Sequence, residues 1–167
     1  VPEEVAREKA SPLLVFFHGG GWVVGDLDSH DAPCRLLAQT AGVRVLAVDY
    51  RLAPEHRFPA PIEDAVAAFR HVAANAVDYG ADPTRIAVGG DSAGGNISAV
   101  TSLLCARDGG AAPAFQLLIY PVTDNLAARS EATQTVSYRL FGENFFLTEE
   151  QMRWYRAHYF GPAEAEL

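Results

Sequence analysis

Short apolar runs of strand length alternate along this sequence with longer segments whose apolar residues recur at helical spacing. The apolar runs are continuous, which is typical of strands that are covered on both faces. Strand, helix, strand, helix at this spacing predicts right-handed crossovers and therefore a parallel α/β sheet. The predicted strands are residues 13–17, 43–50, 86–89 and 115–120.

Four helices are predicted between and after these strands. Asp28 or Ser29 could cap the first, which would extend to about residue 40. Pro61 suits the first position of the second, and the third follows the strand at 86–89. The fourth begins at a capping box of Thr148 and Gln151, and residues 121–147 are predicted to be irregular. The apolar side of the first helix would carry Ala32, Leu36 and Leu37.

Size and charge limit the classes of protein to which this chain can belong. A chain of 167 residues is long enough for one domain with a hydrophobic core and too short for two. A net charge of −8 with scattered basic residues argues against nucleic acid and anionic membranes as partners. No apolar run could span a bilayer, and no signal peptide is visible. Cys34 and Cys105 lack metal-site and redox-motif spacing, so we expect reduced thiols, a cytoplasmic location and no metal.

The first motif that could carry chemistry is Gly-Asp-Ser-Ala-Gly at residues 90–94, between a predicted strand and a predicted helix. A serine on such a tight turn must adopt a strained backbone, and flanking glycines let neighbouring chain approach without a Cβ clash. The Ser92 hydroxyl would then stand clear of the sheet, beside the N–H of Ala93 at the helix N-terminus. A glycine-rich turn that only caps the helix is the alternative. The context favours Ser92 as a nucleophile, with Asp91 bracing the turn.

The second motif is His-Gly-Gly-Gly-Trp at residues 18–22, at the end of the first predicted strand. Consecutive glycines leave backbone N–H groups free to point into a cleft, and the oxyanion of a tetrahedral intermediate needs two or three such donors. Gly20 and Gly21 are therefore expected to form an oxyanion hole with Ala93. Phosphate binding is the competing function, but the lysine and hydroxyl residues of a P-loop are absent.

The histidine of this motif admits two interpretations. His18 could act as a general base, but we expect it to support the loop, together with Gly19, through hydrogen bonds to the backbone. A third segment, residues 49–61, closes a strand and is rich in proline. It predicts a rigid connection to the next helix with an internal ion pair, and no chemistry is required of it.

Several segments, in this order, resemble the hormone-sensitive-lipase-like family of carboxylesterases. They are HGGGW at 18–22, DYRLAPEHRFPAPIEDA at 49–65 and GGDSAGGN at 89–96. QLLIYPVTD at 116–124 and FLTEEQMRWYRAHY at 146–159 are similar to that family as well. The resemblance covers nearly the whole chain, from residue 12 to residue 159.

The resemblance implies a doubly wound, mostly parallel sheet of the α/β-hydrolase type, incomplete at both ends. Residues 1–167 would be a partial catalytic domain, with part of a cap within residues 121–160. It also implies hydrolysis of short or medium acyl esters through a Ser92 acyl-enzyme, without a metal or an organic cofactor. Matched position by position, Ser92 would be the nucleophile and Gly20, Gly21 and Ala93 the oxyanion hole.

The sequence departs from the family in the acid and the histidine that should follow the nucleophile. The motifs expected around them are absent, so we expect both residues to lie outside this chain. Asp124 and His158 have the right order, but a histidine among aromatic residues on a helix is typical of packing or surface positions. His30, His56 and His71 precede the nucleophile, have no evident acid partner, and are interpreted as structural or solvated.

We therefore expect a fragment of a serine carboxylesterase that is nearly or wholly inactive by itself, because a hydroxyl without its base is a poor nucleophile. Its partner would be a small-molecule ester, and exposed sheet edges would favour pairing with a complementary chain or a second copy. The alternative function is a non-catalytic receptor for a small ligand, since relatives of this family include hormone receptors without the catalytic histidine. Hydrolysis of amides or acetyl esters would use the same machinery and stays open.

Overall fold

A computed structural model describes residues 1–7, 10–125 and 135–161 of the chain. Within these residues it contains four strands, which are β1 (Ser11–Phe17), β2 (Arg44–Val48), β3 (Ala81–Asp91) and β4 (Gln116–Ile119). The α-helices are α1 (Glu3–Ala6), α2 (Asp31–Ala41), α3 (Ala60–Ala74), α4 (Ala93–Arg107), α5 (Val136–Phe141) and α6 (Glu149–Phe160). A 3₁₀ turn, Ala76–Tyr79, precedes β3.

The strands of the described chain form one parallel sheet in the spatial order β2-β1-β3-β4. Phe17 at the end of β1 pairs with Val48 on one side and with Gly90 on the other. At the next step Asp91 of β3 pairs with Ile119 of β4. All four carboxyl ends therefore meet at one edge of the sheet, which is the edge where open α/β sheets bind ligands.

Helices cover both faces of the sheet. Successive side chains of β1 point to opposite faces, so Val15 and Phe17 join the core beneath α3 and α4. Leu14 and Phe16 instead pack with Cys34 of α2 on the other face. The predicted α/β fold with a doubly covered parallel sheet is confirmed.

The connection from β2 to α3 is tied to the helix by backbone and side-chain contacts. Pro61 lies in the first turn of α3, where a missing N–H leaves no helical hydrogen bond unmade. Arg51 pairs with Asp64 of α3, outside the segment in which an ion pair was predicted, at 2.7 Å between Nη2 and Oδ1, and its backbone N–H donates to the same carboxylate at 2.9 Å. Ile62 and Phe69 are buried on the inner face of the helix.

The prediction for α2 is wrong in its cap and in its buried face. The N-cap position is His30, because Ser29 and Asp26 satisfy each other in a tight turn in which each backbone N–H bonds to the other side chain. Cys34 and Ala38 face the sheet, and the predicted Leu37 packs against the same cluster, whereas Ala32 is exposed and Leu36 is 64% exposed. These two buried positions are four residues apart, so they define one helical face that does not include Leu36.

Residues 121–147 are not irregular throughout, since α5 lies within them; residues 126–134 fall outside the described chain. None of the α5 residues is buried, and its six residues are too few for a helical period to be recognised in the sequence. The predicted capping box of α6 is confirmed. Thr148 N donates to Gln151 Oε1 at 2.9 Å, and Gln151 N donates to Thr148 Oγ1 at 3.3 Å.

Two further observations concern membranes and thiols. No helix among the described residues has the length and apolar character needed to cross a membrane. Cys34 and Cys105 are free and buried, and burial raises the pKa of both thiols.

Candidate active site

The bend between β3 and α4 places Ser92 at the carboxyl edge of the sheet. Its backbone has φ 53° and ψ −114°, a strained conformation for a residue with a Cβ. The bend is fixed because Ser92 N donates to Ile119 O at 2.9 Å while Ser92 O accepts from Asn96 N at 3.1 Å. The side chain is half-buried, and its hydroxyl has no hydrogen-bond partner within residues 1–7, 10–125 and 135–161.

The glycines of the motif let this bend sit directly against the end of β1. A Cβ on Gly90 or on Gly94 would overlap the carbonyl oxygen of Phe17. A Cβ on Gly94 would also come within 2.7 Å of the His18 carbonyl oxygen. The two motifs are therefore in van der Waals contact, on the same side of the sheet.

The triple-glycine loop turns back tightly after β1. Gly20 has φ +115° and Gly21 has φ +59°, backbone conformations that residues with a side chain rarely adopt. The carbonyl of Gly20 accepts from Val23 N at 3.1 Å and Val24 N at 3.0 Å, which closes the turn. A Cβ on Gly20 would overlap the Val24 carbonyl, so both backbone conformation and space require glycine here.

One hydrogen bond joins this loop to the serine bend. Gly19 N donates to Asp91 Oδ1 at 2.9 Å. The next N–H groups along the loop, of Gly20 and Gly21, have no acceptor among the described residues, and the same holds for Ala93 N at the start of α4. Three backbone donors and one hydroxyl are thus left unpaired at the junction of the two motifs.

His18 is held by the backbone of its own loop. The residue is 2% exposed, and Nδ1 lies 2.7 Å from Gly19 O, so Nδ1 must carry the proton of this bond. The ring stacks on Tyr50 at 4.3 Å between centroids, and the Tyr50 hydroxyl donates to His18 O at 2.7 Å. Burial raises the pKa of Tyr50, which keeps this hydroxyl a donor. This arrangement favours loop support over a general-base function.

Burial also lowers the pKa of His18, since the desolvated ring is more stable when neutral, and this predicts a pH dependence of stability. In the unfolded chain, His18 has its ordinary pKa and takes up a proton near pH 6.5. Between that pH and the lower pKa of the folded state, the unfolded chain binds more protons than the folded chain. The free energy of unfolding should therefore fall on acidification from about pH 7 to about pH 5, with His18 contributing at most about 1.4 kcal/mol per pH unit. Denaturant unfolding over this range should give a smaller slope for His18→Asn. Equal slopes for the two proteins would contradict the prediction.

The expectation that His30 lacks an acid partner is wrong. His30 Nε2 lies 3.3 Å from Asp91 Oδ1, the oxygen that accepts a hydrogen bond from Gly19 N. The two side chains are 19% and 17% exposed. The residues are distant in sequence and meet only because β1 and β3 are neighbours, so no local pattern could have indicated the pair.

Helix α6 packs on the glycine loop, a contact that sequence reasoning also missed. A Cβ on Gly21 would overlap the ring of Tyr155. One turn further along α6, Tyr159 stacks on Trp22 at 4.4 Å between centroids, with the rings 6° from parallel. The loop is therefore covered by aromatic side chains.

The remaining histidines and the proposed substitute acid do not assemble a second site. His158 Nδ1 lies 2.8 Å from Trp154 O, and its ring packs on that indole at 4.0 Å, which agrees with a packing position. His56 and His71 are exposed, and Asp124 lies in the segment after β4. Across the described residues, no three His, Cys, Asp or Glu side chains are grouped so as to hold a metal ion.

A parallel sheet with a serine on a positive-φ bend at its carboxyl edge, beside a glycine loop, defines the α/β-hydrolase class. A family model described as alpha/beta hydrolase fold matches residues 14–167, and the chain belongs to that family. The resemblance to hormone-sensitive-lipase-like carboxylesterases is confirmed by the relatives that follow.

Similar proteins include two curated bacterial enzymes. Carboxylic ester hydrolase LipN of Mycobacterium tuberculosis is 52% identical over 163 residues, which cover 94% of this chain and 42% of that protein. Ethyl acetate hydrolase of Pseudomonas putida is 43% identical over 151 residues, which cover 90% of this chain and 46% of that protein. The chain thus spans less than half the length of these relatives.

Solved structures agree with the fold. An ester hydrolase from the metagenome of Lake Arreo, in complex with a bipyridine phosphonate derivative, superposes with a TM-score of 0.88 at 46% identity. That match covers 93% of this chain and 48% of the other. The esterase of Pyrobaculum calidifontis gives a TM-score of 0.85 at 42% identity, covering 94% of this chain and 50% of the other.

Proposed function

We propose that the complete protein hydrolyses carboxylic esters and that Ser92 is the attacking nucleophile. The observation that carries this proposal is the unpaired hydroxyl of Ser92 beside the unpaired N–H groups of Gly20, Gly21 and Ala93. A serine that served only as a helix cap would bond to the backbone of the first turn, and Ser92 makes no such bond. Relatives named as ester hydrolases support the same reaction.

The proposed reaction has two stages. Ser92 Oγ attacks the carbonyl carbon of a small-molecule ester while a general base removes its proton. The carbonyl oxygen becomes an oxyanion, to which Gly20 N, Gly21 N and Ala93 N donate. Collapse of this intermediate expels the alcohol, which takes up the proton, and leaves the acyl group on Ser92. Water then attacks the acyl-enzyme in the same way and releases the carboxylic acid.

The general base and its acid partner are proposed to lie in a part of the protein that this chain does not include. Both curated relatives are more than twice as long as the segment they share with it. Within the described residues, the buried ring of His18 is hydrogen-bonded to the Gly19 carbonyl, and the ring of His30 contacts the Asp91 carboxylate. Neither ring bonds to Ser92. Proton removal by a histidine of this chain therefore has no geometric support.

Covalent labelling of the protein expressed from its complete gene tests the proposal. We expect a fluorophosphonate to add to one serine, identified as Ser92 by peptide mass spectrometry, and to stop turnover of nitrophenyl esters of short acyl chains. The reagent mimics the tetrahedral intermediate, so its reaction needs both the nucleophile and the oxyanion donors. A protein with neither an adduct nor turnover would refute the esterase function and favour a small-ligand receptor.

A further inference from the structure

His30, beside the oxyanion loop, lies against the carboxylate of Asp91, which anchors the loop. His30 Nε2 and Asp91 Oδ1 are 3.3 Å apart, and more than four fifths of each side chain is withdrawn from solvent. His30 also packs against His18, at 5.4 Å between ring centroids, and against Phe16 at 6.5 Å. Phe16 and His18 therefore fix the imidazole, in addition to its polar contact with Asp91.

The other ring nitrogen determines which atom of His30 carries a proton. His30 Nδ1 lies 3.0 Å from Ser29 Oγ, and Ser29 Oγ lies 2.9 Å from Asp26 O. If the serine proton points to Nδ1, a neutral His30 must carry its own proton on Nε2. If the serine proton points to Asp26 O, Ser29 accepts from Nδ1–H, and a neutral ring then carries no proton on Nε2. The first arrangement presents Nε2–H to Asp91 Oδ1.

Asp91 in turn fixes the first glycine of the loop. Its Oδ1 accepts from Gly19 N–H at 2.9 Å and lies 3.3 Å from His30 Nε2, so the carboxylate is held between the loop backbone and the imidazole. A Cβ on Gly19 would overlap the second carboxylate oxygen, so the group is packed flat against the loop backbone. The orientation of the next two N–H groups depends on this anchor.

Charge gives His30 a second effect on the same site. Asp91 directly precedes Ser92, and an unneutralised carboxylate there would repel the oxyanion that the loop is proposed to bind. A donor on its oxygen draws this charge away from the cleft. Deleting the donor should therefore raise the energy of the transition state more than that of the bound ester.

We infer that His30 is a positioning residue of the proposed esterase, holding the oxyanion loop in its active geometry through the polar contact of its Nε2 with Asp91. The inference rests on the function proposed above. It adds to that function a residue that touches neither ester nor nucleophile and acts only through Asp91 and Gly19.

Two polar substitutions of different length test the inference in the protein expressed from its complete gene. The amide nitrogen of glutamine in His30→Gln can reach Asp91, whereas the shorter side chain of His30→Asn cannot. We expect His30→Asn to lower kcat about tenfold or more with KM changed less than about twofold, and His30→Gln to keep most of the activity. Inhibition by a trifluoromethyl ketone, which forms an oxyanion on the serine, should weaken in parallel with kcat/KM. His71→Gln, on an exposed histidine of α3, is the matched control.

The outcomes separate this inference from the proposed function. Turnover by the wild-type protein with equal kcat for His30→Asn and His30→Gln would overturn the role of His30 alone. A loss expressed only in KM would overturn it too, since it would indicate substrate binding. A wild-type protein that neither turns over esters nor binds the ketone would overturn both proposals. Because both variants are polar and similar in size, the comparison holds even if each is less stable than the wild type.

Discussion

Ser92→Ala is expected to abolish ester hydrolysis by the complete protein, lowering kcat/KM by at least about a thousandfold. The substitution removes one oxygen atom and leaves the Cβ, so the strained backbone at φ 53° is unchanged. The lost hydroxyl has no hydrogen-bond partner in the described chain, so its removal leaves no buried group unpaired. We therefore expect the free energy of unfolding to stay within about 0.5 kcal/mol of the wild-type value.

Steady-state kinetics with a chromogenic short-chain ester and urea unfolding measure the two halves of this prediction. The matched control is Ser137→Ala on α5, an exposed serine whose side chain contacts Thr135. It should retain full activity and full labelling by a fluorophosphonate. If Ser92→Ala kept activity within about tenfold of the wild type, another residue would be the nucleophile. If it lost activity only by unfolding, the serine would be structural.

The sheet could be predicted from the sequence because its signals are local. The apolar run in β1 contributes buried side chains to both faces of the sheet. Such a continuous run is typical of a strand that is covered on both faces. Pro61 and the pair Thr148 and Gln151 mark helix starts with specific backbone chemistry; the capping box is where it was predicted, and α3 begins at Ala60, one residue before Pro61.

The predictions for the cap of α2, for its buried face and for residues 136–141 failed for different reasons. Ser29 resembles a helix cap in sequence, but its hydroxyl bonds to Asp26 in a turn of its own. The apolar Leu36 suggested an inward face for α2, yet the sheet is met by Cys34 and Ala38. Helix α5 has only six residues, which are too few for a helical period to be recognised.

Only those parts of the site could be predicted in which the backbone conformation of a motif dictates its own residue types. Gly20 must be glycine because of φ +115°, and that requirement is visible as a run of glycines. The contacts that hold the motifs together, from His30 to Asp91 and from Tyr155 to Gly21, join distant segments. They depend on strand order and helix packing, which no short window of sequence contains.

Gly94→Ala is expected to destabilise the protein by about 3 kcal/mol or more. Gly94 lies in the first turn of α4, where alanine would ordinarily be favoured over glycine by about 1 kcal/mol. Here the added Cβ would overlap the Phe17 carbonyl oxygen and come within 2.7 Å of that of His18. Both are backbone atoms that cannot rotate away, so α4 and the end of β1 would have to separate.

Urea unfolding of Gly94→Ala against Gly110→Ala measures this cost. A Cβ on Gly110 meets nothing within 4 Å, so its substitution should be neutral or slightly stabilising. Because β1 carries the glycine loop and α4 begins at Ala93, separating them moves the proposed oxyanion donors relative to Ser92. A displacement of about 1 Å can reduce turnover about a hundredfold, so Gly94→Ala should stay impaired at low temperature, where it is folded. A variant as stable and as active as the control would show that this contact does not hold the two motifs in register.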